Sequence, residues 1–342
     1  MTTSLTIQGV KGMAQVLQAM KSGGKQVCSI SFSRDGMTVR WEDESKTLQA
    51  AVHFKAEMFT RFVLPPGPGP MLGVQLSLLL DTLAMFASAP THAPLQMLYP
   101  GPQGEVVFEL QDNVEGKVVV SFARLGTVEL PSSRDLSDYW EGQGSYFLAQ
   151  GVLLKEVVED LEWPAGDVEI AMWAPPHARL AMSAAGVAGD LEVDLPLSEL
   201  SGFHVTPPPP TYLAVPGAVP GADVRWRYRY KSMRAAFCSL SPAKEPGSCS
   251  TKVSIDANGL LKVTHMVSMQ GASAQGGGPG TATGLAHSFA HSLGFAPGQA
   301  GRVAAGTGQH AEGAYLDSQR GLEDGGTAVV TFVMVPLVEG VE

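Results

Sequence analysis

Cysteine is scarce. Cys28, Cys238 and Cys249 are the three in 342 residues, an odd number with no CxxC spacing. A disulfide framework and a structural zinc are therefore not expected, and a reducing compartment is the expected setting. Charge is also sparse, at 16% of residues, and 23 Lys and Arg against 33 Asp and Glu leave a formal net charge of -10. That balance excludes a surface coated in cations, although a few basic residues on one concave face can still work inside an acidic shell. No run of about 18 apolar residues is present, so no membrane-spanning helix is expected. The opening MTTSLTIQGVKGM lacks the basic and apolar regions of a signal peptide. A Lys/Arg-rich import tract is missing too, so entry to a nucleus would need a partner.

Residues able to carry chemistry are not gathered in workable patterns. A metal-dependent nuclease needs several carboxylates converging on divalent ions. Asp35, Asp43 and Glu44 sit instead at an expected hairpin turn and just past a strand end, where acidic residues are ordinary solvated punctuation. His287 and His291 have the i, i+4 spacing of helical metal ligands, but no Glu lies between them and their surroundings are Gly-rich. The GGGPG at 276–280 lacks the Lys-Ser/Thr of a phosphate loop. His53, His92 and His204 read as surface or packed imidazoles. No catalytic residue, metal site or cofactor is expected.

What is present is a repeated order of elements. In the first half, strands are expected at 4–7, 27–32, 37–41, 48–54, 95–99, 105–110 and 117–122. One helix carries Val10, Met13, Val16, Leu17 and Met20, and a second carries Leu76, Leu79, Leu80 and Leu83. A polar, acidic stretch at 126–144 reads as a connector. The second half repeats the order. Strands are expected at 146–148, 168–173, 178–182, 191–195 and 225–230, with a helix over Leu154, Val157, Val158 and Leu161 that Pro164 halts. A fourth helix carries Met233, Ala236, Phe237 and Leu240. Asn258-Gly259 joins strands at 252–255 and 260–265 as an expected type I′ hairpin, and 329–335 closes the sheet. This is an α+β pattern of antiparallel sheets with two helices per half, with an N-terminal domain at 1–125 and a C-terminal domain at 145–342.

Four segments share wording with one family: LSLLLDTLAMFASAP (76–90), ARLAMSAAGVAGDLEVDLPLSELSGFHV (178–205), RYKSMRAAF (229–237) and TKVSIDANGLLKV (251–263). In this order, over most of the chain, they resemble the Rad-one subunit of the nine-one-one checkpoint clamp. The resemblance implies two tandem sliding-clamp domains, each of antiparallel sheets with two helices lining a ring interior. It also implies a heterotrimer with Rad-nine-like and Hus-one-like subunits, a separate clamp loader, double-stranded DNA in the ring, docked repair and signalling proteins, and a nuclear location. The chain departs from the family in a proline-rich insert at about 206–222 and a Gly/Ala/Ser-rich insert at about 270–326.

A clamp that slides should touch phosphates and leave base edges unread. Lys21 and Lys155 lie off the apolar faces of their helices, Lys21 matches a basic position in the wider clamp family, and Lys25 lies just beyond it. In RWRYRYKSMR, strand alternation puts Arg225, Arg227 and Arg229 on one face and the aromatics on the other. One reading makes Arg229, Lys231 and Arg234 phosphate contacts; the other is an ordinary strand with inward aromatics and solvated arginines. Asp81, Glu156 and Glu159 weaken the grip on DNA. By resemblance, ring joints would use strands 117–122 and 190–194, with Lys117, Val119, Ser121, Leu191 and Val193. A homotrimeric replication clamp and a metal-dependent 3′-5′ exonuclease are the alternatives.

Overall fold

The structure, a computed structural model, describes residues 2–23, 26–88, 93–114, 117–130, 134–206, 224–238, 250–268 and 327–337. The first half contains β1 (Thr3–Ile7), α1 (Val10–Gln18), β2 (Val27–Ser33), β3 (Gly36–Glu42), β4 (Leu48–Lys55), β5 (Arg61–Val63) and β6 (Met71–Gln75). It continues with α2 (Leu76–Ala87), β7 (Leu95–Tyr99), β8 (Val106–Val114) and β9 (Lys117–Leu125). The second half contains β10 (Ser145–Gln150), α3 (Gly151–Asp160), β11 (Val168–Trp173), β12 (Arg179–Gly186), β13 (Gly189–Leu195) and β14 (Gly202–His204). After it come β15 (Val224–Tyr228), α4 (Tyr230–Cys238), β16 (Ser250–Ile255), β17 (Leu261–Ser268) and β18 (Thr327–Met334).

These strands form three antiparallel sheets, ordered β5-β1-β7-β8-β9, β14-β10-β16-β17-β18-β4-β3-β2-β6 and β13-β12-β11-β15. The nine-stranded sheet spans both halves because β18 pairs on one side with β17 and on the other with β4. Val330 lies opposite both His265 and Val52, and Phe332 opposite both Val263 and Ala50. The closing strand expected at 329–335 is thus also the joint between the halves. Strands β5 and β6 were not expected: β5 is only three residues long, and β6 carries Gly73 where a side chain would collide with the Val128 carbonyl.

The helices follow their apolar spacing. Leu76, Leu79, Leu80, Leu83 and Phe86 of α2 are buried, as are Val10, Met13, Val16 and Leu17 of α1, and the two helices pack together. In the second half α3 packs against α4, burying Leu154, Val157, Val158, Met233, Ala236 and Phe237. Each such side chain larger than alanine contributes about 1.5–3 kcal/mol of transfer free energy. α3 ends at Asp160, short of the expected stop at Pro164; Glu162 and Trp163 continue as turns, with N–H groups donating to the Glu159 and Asp160 carbonyls, and Ala165 takes a left-handed φ of 58° beyond Pro164. Leu240 lies outside the described residues.

Two local corrections matter. The turn after β16 is not type I′, because Gly259 has a positive φ (82°) and Asn258 does not. Gly259 N–H donates to the Asp256 carbonyl (3.2 Å) and Asp256 N–H to the Leu260 carbonyl (3.1 Å), a five-residue loop with a glycine bulge. The Asp256 carboxylate accepts the N–H groups of Asn258 (2.9 Å) and Leu260 (2.7 Å), which favours this geometry. The second correction concerns β15, which ends at Tyr228, since Tyr230 already begins α4. Trp226 packs on Gly259, and the Tyr228 hydroxyl donates to the Gly259 carbonyl (2.8 Å), so the aromatics face inward.

His265 is fully buried under α4. Its Nε2–H donates to the Ala236 carbonyl (2.8 Å), since a carbonyl can only accept, and Nδ1 accepts from the Thr251 hydroxyl (2.8 Å). Burial pushes the imidazole down to about 4, against a backbone hydrogen bond that raises it. The unfolded chain therefore binds a proton that the folded one refuses. Stability from this residue is full above about pH 6.5 and is lost as pH falls towards 4, with a loss of about 2 kcal/mol between about pH 7.5 and about pH 5. Urea unfolding midpoints across that range test this, and His265→Phe should flatten the dependence. Gly259→Ala should cost about 1–3 kcal/mol in the same assay, because the new methyl meets the Trp226 ring at a left-handed position.

Candidate nucleic-acid and assembly surfaces

The helices turn one face to the core and one to solvent, and the solvent faces differ. On α1 the exposed residues are Lys11, Gln15 and Gln18. On α2 they include Leu78 (52% exposed), Asp81 and Met85 (56%), a surface with no cation. On α3 they are Val152, Glu156, Glu159 and Asp160, with a half-buried Lys155 whose Nζ lies 3.8 Å from Glu159. On α4 they are Lys231 and Arg234, with Arg234 2.6 Å from Glu162. Such surface pairs are worth little and do not prevent a phosphate from competing for the cation.

Sequence reading overlooked Lys11, although it shares a helical face with Gln15 and Gln18. It also overlooked the apolar outward pair Leu78 and Met85, which a count of buried leucines conceals.

The expected DNA-contacting residues fall in different settings, with Lys155 and Arg234 both close to Cys238 where α3 packs on α4. Lys21 lies three residues past the end of α1, in a turn where its N–H donates to the Gln18 carbonyl (3.1 Å), and it is half-buried. Lys25 lies outside the described residues. Arg229, Lys231 and Arg234 do gather at the start of α4. The Arg229 carbonyl accepts the N–H groups of Ser232 and Met233 (3.0 and 3.1 Å), and its side chain is exposed. Glu162 and Asp167 line the same shallow depression as Arg229 and Lys231, which tempers its positive charge. Arg225 and Arg227 point away from the aromatics and sit 3.3 and 3.7 Å from Glu169. The expected run of three arginines along one strand face breaks at the strand end.

Strands β9 and β13 each end their sheet and, among the described residues, are paired on one side only, by β8 and by β12. On β9, Lys117, Val119 and Ser121 are exposed as well as the opposite-facing Val118 (71%), Val120 and Phe122 (62%). On β13, Leu191 and Val193 face the core, partly buried, and Asp190, Glu192 and Asp194 face out. Arg179 binds Glu192 and Asp194 together and stacks on Trp173 (4.8 Å), and those two carboxylates hold its guanidinium protonated well above the usual range.

The connector is fastened rather than loose where it is described. Asp135 pairs with Arg40, Gln49 bonds the Arg134 carbonyl (2.9 Å) and the Leu136 N–H (3.0 Å), and Glu141 N–H donates to Asp256 (3.0 Å). Lys262 sits over the Trp140 ring (4.5 Å).

Of the residues weighed for chemistry, Asp43 and His53 have structural roles. Asp43 accepts the N–H groups of Thr47 and Leu48 (both 2.8 Å), and His53 bonds Thr38 (2.9 Å) with its pKa lowered by burial. Burial pushes Cys28 up to about 12 and Cys238 up to about 11, so both remain thiols. Among the described residues, no group of three or more His, Cys, Asp or Glu side chains could hold a metal ion. His92, His287, His291 and Cys249 lie outside the described residues.

Known proteins share this sequence pattern and this fold. Over 269 residues, 77% of this chain and 85% of the relative, the sequence is 24% identical to the mouse (Mus musculus) Cell cycle checkpoint protein RAD1. The fold matches Proliferating Cellular Nuclear Antigen from Entamoeba histolytica with a TM-score of 0.59 at 12% identity, covering 98% of this chain and 99% of that one. PCNA from Thermococcus kodakaraensis matches with a TM-score of 0.60 at 11% identity, covering 98% and 100%. A chain of the PCNA2-PCNA3 complex from Sulfolobus tokodaii matches with 0.56 at 12%, covering 97% and 98%. The fold is therefore the PCNA-like clamp fold. The model of the family described as Repair protein Rad1/Rec1/Rad17 matches residues 3–267, well over half the chain, and the protein belongs to that family.

Proposed function

We propose that this chain is one subunit of a heterotrimeric, DNA-encircling clamp that serves the DNA damage checkpoint and repair in the nucleus. The observation that carries the reading is the pair of one-sided edge strands, β9 in the first half and β13 in the second, on a clamp fold. A subunit with one such edge in each half can join head to tail and close a ring. Residues 1–125 and 145–342 act as its two clamp domains, and 126–144 joins them. Rad-nine-like and Hus-one-like subunits complete the ring, and a separate clamp loader opens it. The chain acts as a non-catalytic scaffold for repair and signalling proteins, without a cofactor.

Residence on DNA comes from closure of the ring, and phosphate contacts are weak enough to permit sliding. The exposed helix faces suit a minor share of those contacts. Lys11, Lys231 and Arg234 with half-buried Lys155 are offset by Asp81, Glu156, Glu159 and Asp160. The same balance disfavours three copies of this chain around a duplex, and so favours the heterotrimer over the homotrimeric clamp.

Mass photometry of the chain alone and with the two candidate partners tests assembly. A one-to-one-to-one species that disappears when any member is omitted is expected; a self-assembled trimer or an indifferent monomer would refute the reading. On a closed circular duplex, Lys231→Glu with Arg234→Glu should reduce the slope of log K against log salt by about 1–2, and Asp81→Lys should steepen it.

A further inference from the structure

We propose, resting on the DNA reading above, that Trp163 is a stacking platform for an unpaired base of single-stranded DNA, set just beyond the end of α3. Trp163 lies three residues past that helix and is 59% exposed, the only exposed one of the five tryptophans. Its backbone is held. The Trp163 N–H donates to the Asp160 carbonyl (3.3 Å), and the carbonyl of the next residue, buried Pro164, accepts the Ala188 N–H (3.5 Å). The ring is held as well. Its benzo end rests against Gly189, which has a φ of 134° and where a Cβ would come 2.9 Å from the ring. Val187, fully exposed in the same β12–β13 turn, extends the apolar surface.

A fixed, open indole beside cations is the arrangement that an unpaired base recognises. Glu162, the residue before Trp163, lines an open depression of about 520 Å³ together with Asp167, Arg229, Tyr230 and Lys231. Arg229 and Lys231 are exposed there and suit the phosphate of a strand whose base lies on the indole. Glu162 is engaged by Arg234 (2.6 Å).

The carboxylates around the platform select the single strand over the duplex. Asp160, Asp167 and Asp190 are exposed close to Trp163 in the chain or beside Gly189. A duplex keeps its bases in the stack and presents phosphates, which these carboxylates repel. A single strand turns a base onto the indole and keeps its phosphate towards Arg229 and Lys231. Repulsion of one form and stacking of the other act together. With two cations at most on the backbone, the slope of log K against log salt should be no steeper than about -1.4, at about 0.7 for each phosphate of a single strand.

The test titrates the full chain with a short oligothymidylate and follows tryptophan fluorescence, in which the exposed Trp163 is the one accessible to a stacking base. Quenching is expected. Trp163→Ala should abolish it and weaken binding by about tenfold, measured by anisotropy of a labelled oligomer, with unaltered circular dichroism. Trp163→Phe should recover most of the affinity. An abasic strand of equal length and a duplex of equal length should neither quench nor compete.

Undiminished binding by Trp163→Ala, or equal binding of the abasic strand or the duplex, would overturn the proposal. Tighter binding of oligouridylate would assign the platform to RNA and overturn it too. Quenching by a Rad-nine-like or Hus-one-like subunit in place of the oligomer would make Trp163 a protein contact. If the three chains form a ring but the oligomer leaves Trp163 unquenched, the platform fails and the ring reading stands. If the oligomer quenches Trp163 but no ring forms, the ring reading fails and the platform stands.

Discussion

Backbone hydrogen bonding by β18 is the interaction on which the remainder of this molecule depends. One strand satisfies β17 on one side and β4 on the other. Without it, both neighbours would present a row of unpaired N–H and C=O groups, and nothing else of comparable regularity would align the two halves. The central sheet is therefore continuous, and the helix pairs α1–α2 and α3–α4 are held by the core beneath it. Val330, Phe332 and Met334 add apolar weight to the same seam, all fully buried. The edge strands β9 and β13 belong to the two smaller sheets, apart from the strand that holds the two halves together.

The connector reinforces this seam from outside. It meets β3 through Arg40, β4 through Gln49, the β16–β17 turn through Asp256, and β17 through Lys262. Asp256 is shared, since it shapes its own hairpin turn and also receives the connector. A turn whose glycine accepts the Tyr228 hydroxyl and supports Trp226 thus ties β15, β16, β17 and the connector to one point. Polar groups concentrated there cost little, because most are paired with one another.

Much of this was legible in the sequence where a pattern was long or repeated. The leucine spacing of α2 located that helix, and the strand at 168–173 was found to the residue. Matches in family order supplied what periodicity could not, namely that the two halves form one clamp subunit. Short or special features were not legible. Three-residue β5 carries too little pattern, and β6 contains a glycine because the chain at Val128 passes against it. The alternation in RWRYRY continued past the true strand end, since nothing in those letters reveals that Tyr230 enters a helix. The exposure of Val118, Val120 and Phe122 on β9 could not be read from the letters, because it depends on no layer among the described residues covering that sheet face. His265 could not be singled out among the histidines, because its burial comes from contacts with α4, far away in sequence.

The seam has a consequence for how the chain is made. Val52 is translated about 280 residues before its partner Val330. Throughout synthesis β4 must wait with its edge bare, and β17 waits beside it once made. Closing so long a loop late is slow relative to pairing within a hairpin. A nascent chain of this design keeps the β4 edge bare until β18 is made, and adds the β17 edge once Ser268 has been reached. The hazard of edge pairing therefore lasts until Thr327–Met334 arrives.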